Sequence, residues 1–375
     1  MIAPKFFYDS LLAQGVGFFS GVPDSLLKDF CAYITDYTQS PNHIIAANEG
    51  AAVGLAAGYH IATGKYPVVY LQNSGFGNII NPLLSLVDPE VYKIPIVFVM
   101  GWRGEPGTTD EPQHMKQGKV TESMLRSIDT KYVILEGSEE IITKQMDECF
   151  NYMKNNGAPF VFIIKKGTFS EYKLIKETMT NFELGREDAL KIVLSSFKEN
   201  DIIVSTTGML SRELYEYREF MGQTHDNDFL TVGSMGHSSQ IALGIALQKK
   251  DKKIYCLDGD GSIIMHMGSL SIIGDKSPHN FKHIVFNNGA HDSVGGQSTV
   301  GFSTDLCKIA CACNYKQVFA AATKIDIERN IKEFILCEGP AFFEIKINKG
   351  YRENLGRPTT NPIQNKDSFM RSLKT

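Results

Sequence analysis

Short runs of β-branched and aromatic residues, nearly free of charge, alternate along the chain with longer stretches in which apolar positions return every three or four residues. The first pattern reads as strands and the second as helices. In the first half, strands are expected at Gly17–Ser20, His43–Ala46, Val68–Leu71, Ile96–Met100, Lys131–Leu135 and Phe160–Ile164. Helical segments between them include Val22–Ile34, Glu49–Thr63 and Glu139–Lys154. In the second half, strands are expected at Ile202–Thr206, Lys253–Leu257, His283–Phe286, Lys316–Phe319 and Phe342–Ile347. Helices are expected there near Arg186–Lys198, Gln240–Gln248, Ser262–Ile273, Ser303–Cys313 and Asp326–Leu336. Strands with few internal charges, alternating with helices, imply parallel sheets covered on both faces. The expected fold class is α/β, with two doubly wound parallel-sheet domains.

Gly167–Leu184 is polar and lacks an apolar period, so it reads as a linker between domains at 1–166 and 185–375. A chain of 375 residues has room for two cores of that size. The halves repeat in architecture without a sequence repeat. A content of 43% hydrophobic and 21% charged residues is that of a globular protein, and a net charge of −4 gives no broad basic surface for nucleic acid. The strongest apolar run, Ile94–Met100, is strand-length, and none reaches the ~18–20 residues needed to span a bilayer. The opening MIAPKFFYDSLLAQGVGFF lacks the regions of a signal peptide. Of seven cysteines, Cys307, Cys311 and Cys313 share one stretch, yet no CxxC pair or zinc partner accompanies them. Buried free thiols and a cytoplasmic setting are expected.

The segment Leu257-Asp258-Gly259-Asp260-Gly261-Ser262 ends a strand and opens a helix. Gly259 and Gly261 permit a tight turn with close backbone approach, and the helix N-terminus suits an anion. Asp260 adds a hard oxygen ligand. If the next strand lies beside the first, as in a standard βαβ unit, Asn288 reaches the same carboxyl edge, where open α/β sheets bind ligands. One carboxylate, one amide oxygen and a backbone carbonyl leave octahedral positions for phosphate oxygens and water, the pattern Mg²⁺ favours. Taken alone, GDG is also a common solvated turn. Its spacing of 25 residues before Asn287-Asn288, in a strand–turn–helix–strand context, makes the pair specific. It resembles the motif of the thiamine diphosphate enzymes. That resemblance implies that Asp260, Asn288 and the Ala290 carbonyl hold Mg²⁺, and that Gly259, Gly261 and Ser262 line the diphosphate.

Thiamine chemistry needs a carboxyl group facing N1′ of the aminopyrimidine, where sharing a proton favours the imino tautomer; burial raises a carboxyl pKa toward that task. Glu49, opening the small-residue stretch NEGAAVGLAAGYHIATG, is the candidate. The plain reading is a helix start in which Asn48 caps and Glu49 meets the dipole. The stretch nevertheless resembles the glutamate-bearing helix of thiamine enzymes, which implies the N1′ role and a first domain of pyrimidine type. In Val232-Gly233-Ser234-Met235-Gly236-His237, the resemblance to the decarboxylase branch implies that the Gly233 carbonyl accepts from N4′, beside Ser234. Met235, as a flexible apolar wedge, would hold the coenzyme bent.

Across nearly the whole chain, GVPDSLLKDF (Gly21–Phe30), RGEPGTTDEPQH (Arg103–His114) and NNGAHDSVGGQSTVG (Asn287–Gly301) resemble the phosphonopyruvate decarboxylase family, with the sulfopyruvate decarboxylases next. The resemblance implies a two-domain form without a middle domain, converting 3-phosphonopyruvate to phosphonoacetaldehyde and CO₂ on a route to phosphonates. A doubly charged phosphonate calls for hydroxyls, N–H groups or an Arg, and Ser25, Asn73, Ser74, Arg103 and Gln297 are the candidates. Asp24, His114 and His291 are alternative donors for the proton that follows CO₂ departure, with His237 a further one. A non-catalytic thiamine-binding relic would be expected to lack Glu49 or Asp260. The family's site lies between the first domain of one subunit and the second of another, which predicts an obligate homodimer at least, extending to a tetramer.

Overall fold

Six strands build the sheet of the first unit: β1 (Val16–Gly21), β2 (His43–Ile45), β3 (Tyr66–Gln72), β4 (Val97–Gly101), β5 (Lys131–Ile134) and β6 (Phe160–Ile164). They lie in the order β2-β1-β3-β4-β6-β5, all parallel. The second unit repeats this with β7 (Ile202–Ser205), β8 (Asp228–Leu230), β9 (Ile254–Gly259), β10 (Phe281–Asn287), β11 (Gln317–Ala321) and β12 (Ala341–Lys346). Their order, β11-β12-β10-β9-β7-β8, is the same winding read from the other edge. This computed structural model describes residues 1–176 and 179–374. Its two compact units are Met1–Glu177 and Thr178–Thr375.

Each sheet is apolar on both faces because helices cover both. In β4, Val97 and Val99 enter one core while Phe98 and Met100 enter the other. In β10, Ile284 and Phe286 face one core, and Phe281 and Val285 the opposite one. Full burial of such a side chain contributes about 1.5–3 kcal/mol, so the central strands anchor both layers. In each sheet the winding reverses beside the first strand, between β1 and β3 and between β7 and β9, and such switch points open a crevice at the carboxyl edge.

The expected linker is not a free strap. Ile2 donates its N–H to Thr168 and accepts from Ser170, and Asp36 accepts from the Tyr172 hydroxyl and from the N–H groups of Ile175 and Lys176. These residues belong to the first unit, whereas Phe182 donates to Asn348 within the second. Glu177 and Thr178, within that expected linker, lie outside the described residues.

Several helix bounds differ from expectation. The helix expected at Val22–Ile34 runs Lys28–Tyr37. Val22 instead extends β1 by donating to the Tyr70 carbonyl, Pro23 follows, and the Asp24 carboxylate accepts from Leu26 N–H in a turn. The single helix expected at Ser262–Ile273 is two, Asp260–Met265 and Ser269–Lys276, broken at His266. All seven cysteines are free; Cys31, Cys149 and Cys256 are buried as expected, but Cys311 is exposed and the other three are intermediate. Among the described residues, no helix is long and apolar enough to cross a membrane.

Candidate active site

At the carboxyl edge of the first sheet, Glu49 opens the helix Glu49–Thr63, whose cap is Asn48 accepting from Ala51 N–H at 2.9 Å. The plain capping reading of Asn48 is therefore correct, but Glu49 does not sit in solvent. It is 5% exposed, and its Oε2 accepts from Asn78 Nδ2 at 2.6 Å. A Cβ on Gly75 would stand 2.2 Å from Glu49 Oε1, so only glycine leaves room for the carboxyl group.

Gly75 ends the turn Asn73–Gly75 that follows β3, and this turn joins Glu49 to a second cluster. Asp24, fully buried after β1, accepts from Gln72 Nε2 at 2.5 Å, and Ser74 donates to Gln72 Oε1 at 2.6 Å. Burial pushes the Asp24 carboxyl above the usual carboxylate range, against the opposing hydrogen bond from Gln72 and the charge of Arg103. A Cβ on Gly101, at the end of β4, would fall 2.0 Å from Asp24 Oδ2. Asn73 holds the backbone of Arg103 from both sides, donating to its carbonyl at 2.8 Å and accepting from its N–H at 3.1 Å.

The Arg103 side chain is already committed. It grips Asp110 with two N–H groups, one at 2.8 Å through Nε, and donates to Ser25 Oγ at 2.7 Å. Asp110 also accepts from Gly104 N–H, Glu111 N–H and His114 Nδ1, the last at 3.0 Å. Burial opposes ionisation of Asp110, but the hydrogen bonds from Arg103 and His114 outweigh it and hold the carboxyl well below the usual range. Asp24, Ser25, Asn73, Ser74, Arg103 and His114 thus share one connected edge.

In the second unit β9 and β10 are adjacent, with Phe286 opposite Gly259. The expected juxtaposition follows: Asn288 N–H donates to Asp260 Oδ1 at 3.4 Å, and Thr299 donates its hydroxyl to Oδ2. Asp260 is 2% exposed and forms no ion pair among the described residues. Burial, only partly offset by the Thr299 hydrogen bond, raises its pKa to about 6. Ser262 accepts from Thr206 Oγ1 at 3.0 Å and from Gly236 N–H at 3.2 Å, which ties the Ser234–Gly236 segment to the turn. Ser234 has φ 51°, a left-handed conformation uncommon for a residue with a side chain.

Gly261 faces Met235 Cε and the His291 ring, each of which would lie 3.2–3.3 Å from a Cβ there. Burial lowers the His291 pKa to about 4, so the ring is neutral near pH 7 and can donate only its one N–H. Asn288 Oδ1 accepts from Ala290 N–H at 3.1 Å. The Gln297 side chain, 1% exposed, has neither amide atom hydrogen-bonded, an arrangement that costs on the order of 1–3 kcal/mol unless a ligand meets it. His237 is exposed; its Nδ1 lies 3.1 Å from the Ser234 carbonyl and 3.2 Å from that of Met235, and its ring is tilted 53° to His266, with centroids 4.5 Å apart.

The donors fit an oxygen-loving cation with an anion beside it: a buried uncompensated carboxylate, an amide oxygen, and a glycine turn that admits backbone approach. A second buried cluster, Cys256, Asp258 and His283, has ligand atoms within 4.8 Å of one another. Its groups are already engaged: His283 contacts Asp258 at 3.4 Å and Tyr315 OH at 3.2 Å, and Asp258 accepts from Gly259 N–H. Sequence reasoning singled out neither Gln72 nor Asn78, whose partners are 29 or more positions away, and it read Thr299, in Gln297-Ser298-Thr299, as a phosphonate donor and not as the hydroxyl that meets Asp260. Asp110 was legible only as part of a motif; its spacing of four from His114 was the available signal.

Residues 2–125 match the family described as thiamine pyrophosphate enzyme, N-terminal TPP binding domain, and residues 206–345 match the corresponding C-terminal TPP binding domain. A phosphonopyruvate decarboxylase of Streptomyces viridochromogenes is 31% identical, over 94% of this chain and 90% of its own. That of Streptomyces hygroscopicus is also 31% identical, over 96% and 92%. A sulfopyruvate decarboxylase of Methanosarcina acetivorans is 27% identical, over 80% and 81%. Two thiamine-binding halves in this order, with near full-length similarity at that level, place the chain in the phosphonopyruvate decarboxylase family of thiamine pyrophosphate enzymes.

Proposed function

We propose that this chain decarboxylates 3-phosphonopyruvate to phosphonoacetaldehyde and CO₂, consuming one proton per turnover, in a route to phosphonates. The observation that carries the proposal is the buried, uncompensated Asp260 beside Asn288 at one sheet edge, in a chain whose near full-length relatives bear that activity in their names. Thiamine diphosphate, when bound, supplies the nucleophilic carbon that meets the keto group and the sink for the electron pair left by CO₂. Asp260, Asn288 and the Ala290 carbonyl would hold Mg²⁺, with Gly259, Gly261 and Ser262 against the diphosphate. Glu49 would exchange a proton with the aminopyrimidine, its carboxyl oriented by Asn78 and given room by Gly75. Gly233, Ser234 and Met235 would meet the coenzyme between its rings.

For the substrate, Ser25, Ser74 and Arg103 offer hydroxyl and guanidinium groups, and Gln297 an unpaired amide. The Asn73 amide hydrogens are already given to the Arg103 carbonyl and the Thr121 hydroxyl, so Asn73 would act by holding the Arg103 backbone. Asp110 offsets the charge of Arg103, so an anion would be read by directional hydrogen bonds more than by a free cation. Asp24 and His114 are better placed than His291 to deliver the final proton. The Asp24 carboxyl is shifted toward the protonated form, and His114 is backed by the Asp110 carboxylate, whereas His291 is neutral. Seven unpaired thiols fit a reducing compartment such as the cytoplasm.

The test is steady-state CO₂ release with phosphonopyruvate, sulfopyruvate and pyruvate at equal concentration. Preference for phosphonopyruvate by ~100-fold or more over pyruvate is expected from loss of the phosphonate contacts. Comparable turnover of pyruvate, or carboligation products alone, overturns the proposal. Preference for sulfopyruvate would select the second reading, which the similarity to the Methanosarcina acetivorans protein favours.

A further inference from the structure

The Asn288 side chain is only partly available to any ligand, because both ends of its amide are already engaged. Its Oδ1 accepts from Ala290 N–H at 3.1 Å, and its Nδ2 donates to Asp292 Oδ2 at 2.6 Å. A peptide N–H can only donate and an ionised carboxylate can only accept, so one flip of the amide satisfies both neighbours and the other opposes like against like twice. Asp292 is itself held in place. Its Oδ2 also accepts from Arg186 at 3.3 Å and from Gly350 N–H at 2.9 Å, and its side chain is 8% exposed. Arg186 in turn grips Glu213 with two hydrogen bonds, at 2.9 and 3.0 Å. A buried line of alternating charge therefore runs from the helix Met209–Phe220, through the start of the helix Arg186–Leu194, to the loop after β10.

We infer that Asp292, braced by Arg186, is a positioning residue that locks the Asn288 amide with its oxygen, and not its nitrogen, free to take a cation. The inference rests on the metal role proposed above for Asn288. An amide whose nitrogen faced the cation would contribute no ligand, and nothing in the covalent structure of asparagine prefers one flip over the other. Partners behind a metal ligand commonly change affinity by about 10–100-fold when removed, because they fix the ligand's orientation.

The experiment is calorimetric titration of Mg²⁺ into the full-length protein at saturating thiamine diphosphate. The variants are Asp292→Ala, Asn288→Asp, the double variant and Asp260→Ala, with Mn²⁺ electron paramagnetic resonance spectra on the same set. In the wild-type background, Asp292→Ala is expected to weaken Mg²⁺ by about 10-fold or more and to broaden the Mn²⁺ signal. In the Asn288→Asp background the same change is expected to leave affinity unaltered or to improve it, because a carboxylate has no flip to lock and loses a like-charged neighbour. A merely structural role for Asp292 would weaken both backgrounds alike, and that result overturns the inference, as does no effect in either.

If Asp260→Ala leaves Mg²⁺ affinity unchanged, the metal reading itself fails. If Asp260→Ala abolishes binding while Asp292→Ala leaves the wild-type affinity intact, the lock alone fails. Should Asp292→Ala not fold, Asp292→Asn retains an acceptor oxygen and is expected to stay within about threefold of wild type. A loss as large as that of Asp260→Ala would then overturn the inference.

Discussion

Glu49 shows how one side chain is placed by groups remote in sequence. A glutamate at a helix start ordinarily turns to water, where it meets the dipole at little cost. Here Asn78 and the bare Cα of Gly75 leave it one buried position. Glu49→Gln keeps the shape and removes the exchangeable proton. Cofactor binding should persist, while turnover and exchange of the coenzyme C2 proton, followed by NMR, should fall by about 10²–10⁴-fold. Gly75→Ala should reproduce the exchange defect by displacing the carboxyl group; normal exchange in that variant would show that Glu49 does not act from the observed position. The candidacy of Glu49 was legible because it opens a recognisable helix. Its partners were not, since a single sequence does not reveal that residues 75 and 78 come back beside residue 49. The same limit applies to Arg103, readable as an anion ligand but not as a group already gripped by Asp110.

Elements were easiest to read where the local signal and the tertiary contacts agreed. The bounds of Glu49–Thr63 and Phe160–Ile164 match expectation because a cap, a left-handed Gly64 and an uncharged run mark them. The Val22–Ile34 expectation failed because Pro23 and Asp24 build a turn. The break at His266 runs to Gly268, the cap of the second helix, a glycine signal that the apolar pattern on either side outweighed in the sequence. Packing of the helix Pro112–Ser127 is a similar long-range matter. A Cβ on Gly118 would stand 1.7 Å from the Gly104 carbonyl oxygen, and Trp102 donates its indole N–H to the Gly118 carbonyl at 2.9 Å. Gly118→Ala should destabilise the protein by about 1–3 kcal/mol in urea unfolding and raise KM, because the segment it pushes carries Arg103. An unchanged urea midpoint would contradict that packing.

A pH dependence arises at β2, where His43 contacts the buried Tyr70 hydroxyl at 2.9 Å and burial lowers its pKa from 6.5 to about 4. The folded value lies below the ordinary one, so the neutral ring stabilises fully above pH 6.5, and that contribution is lost as pH falls through about 4. It amounts to about 3 kcal/mol. His43→Gln, which does not titrate, should flatten the loss of stability between pH 6.5 and 4; an unaltered slope would assign the acid sensitivity elsewhere.

At the scale of the molecule, two sheets of the same winding each carry residues proposed for the coenzyme at their carboxyl edges: Glu49 in one unit, Asp260 and Asn288 in the other. The helix that Glu49 opens exposes Leu55 at 37% and Ile61 at 73%, and Leu84 in the same unit is 45% exposed. Apolar positions left bare on the helix that Glu49 opens suit contact with another copy of the chain. If the coenzyme is held between the first unit of one copy and the second unit of another, two inactive variants should repair each other. In a dimer joining Glu49→Gln to Asp260→Ala, one site carries both substitutions and the other carries neither. Random reassortment of equal amounts makes half the dimers mixed, so about a quarter of wild-type activity should return. The mixture is assayed after dilution and re-equilibration, with each variant alone as the baseline. A mixture no more active than its parents, although subunits exchange, would mean that each chain completes its own site, and the proposed division of labour between copies would fall.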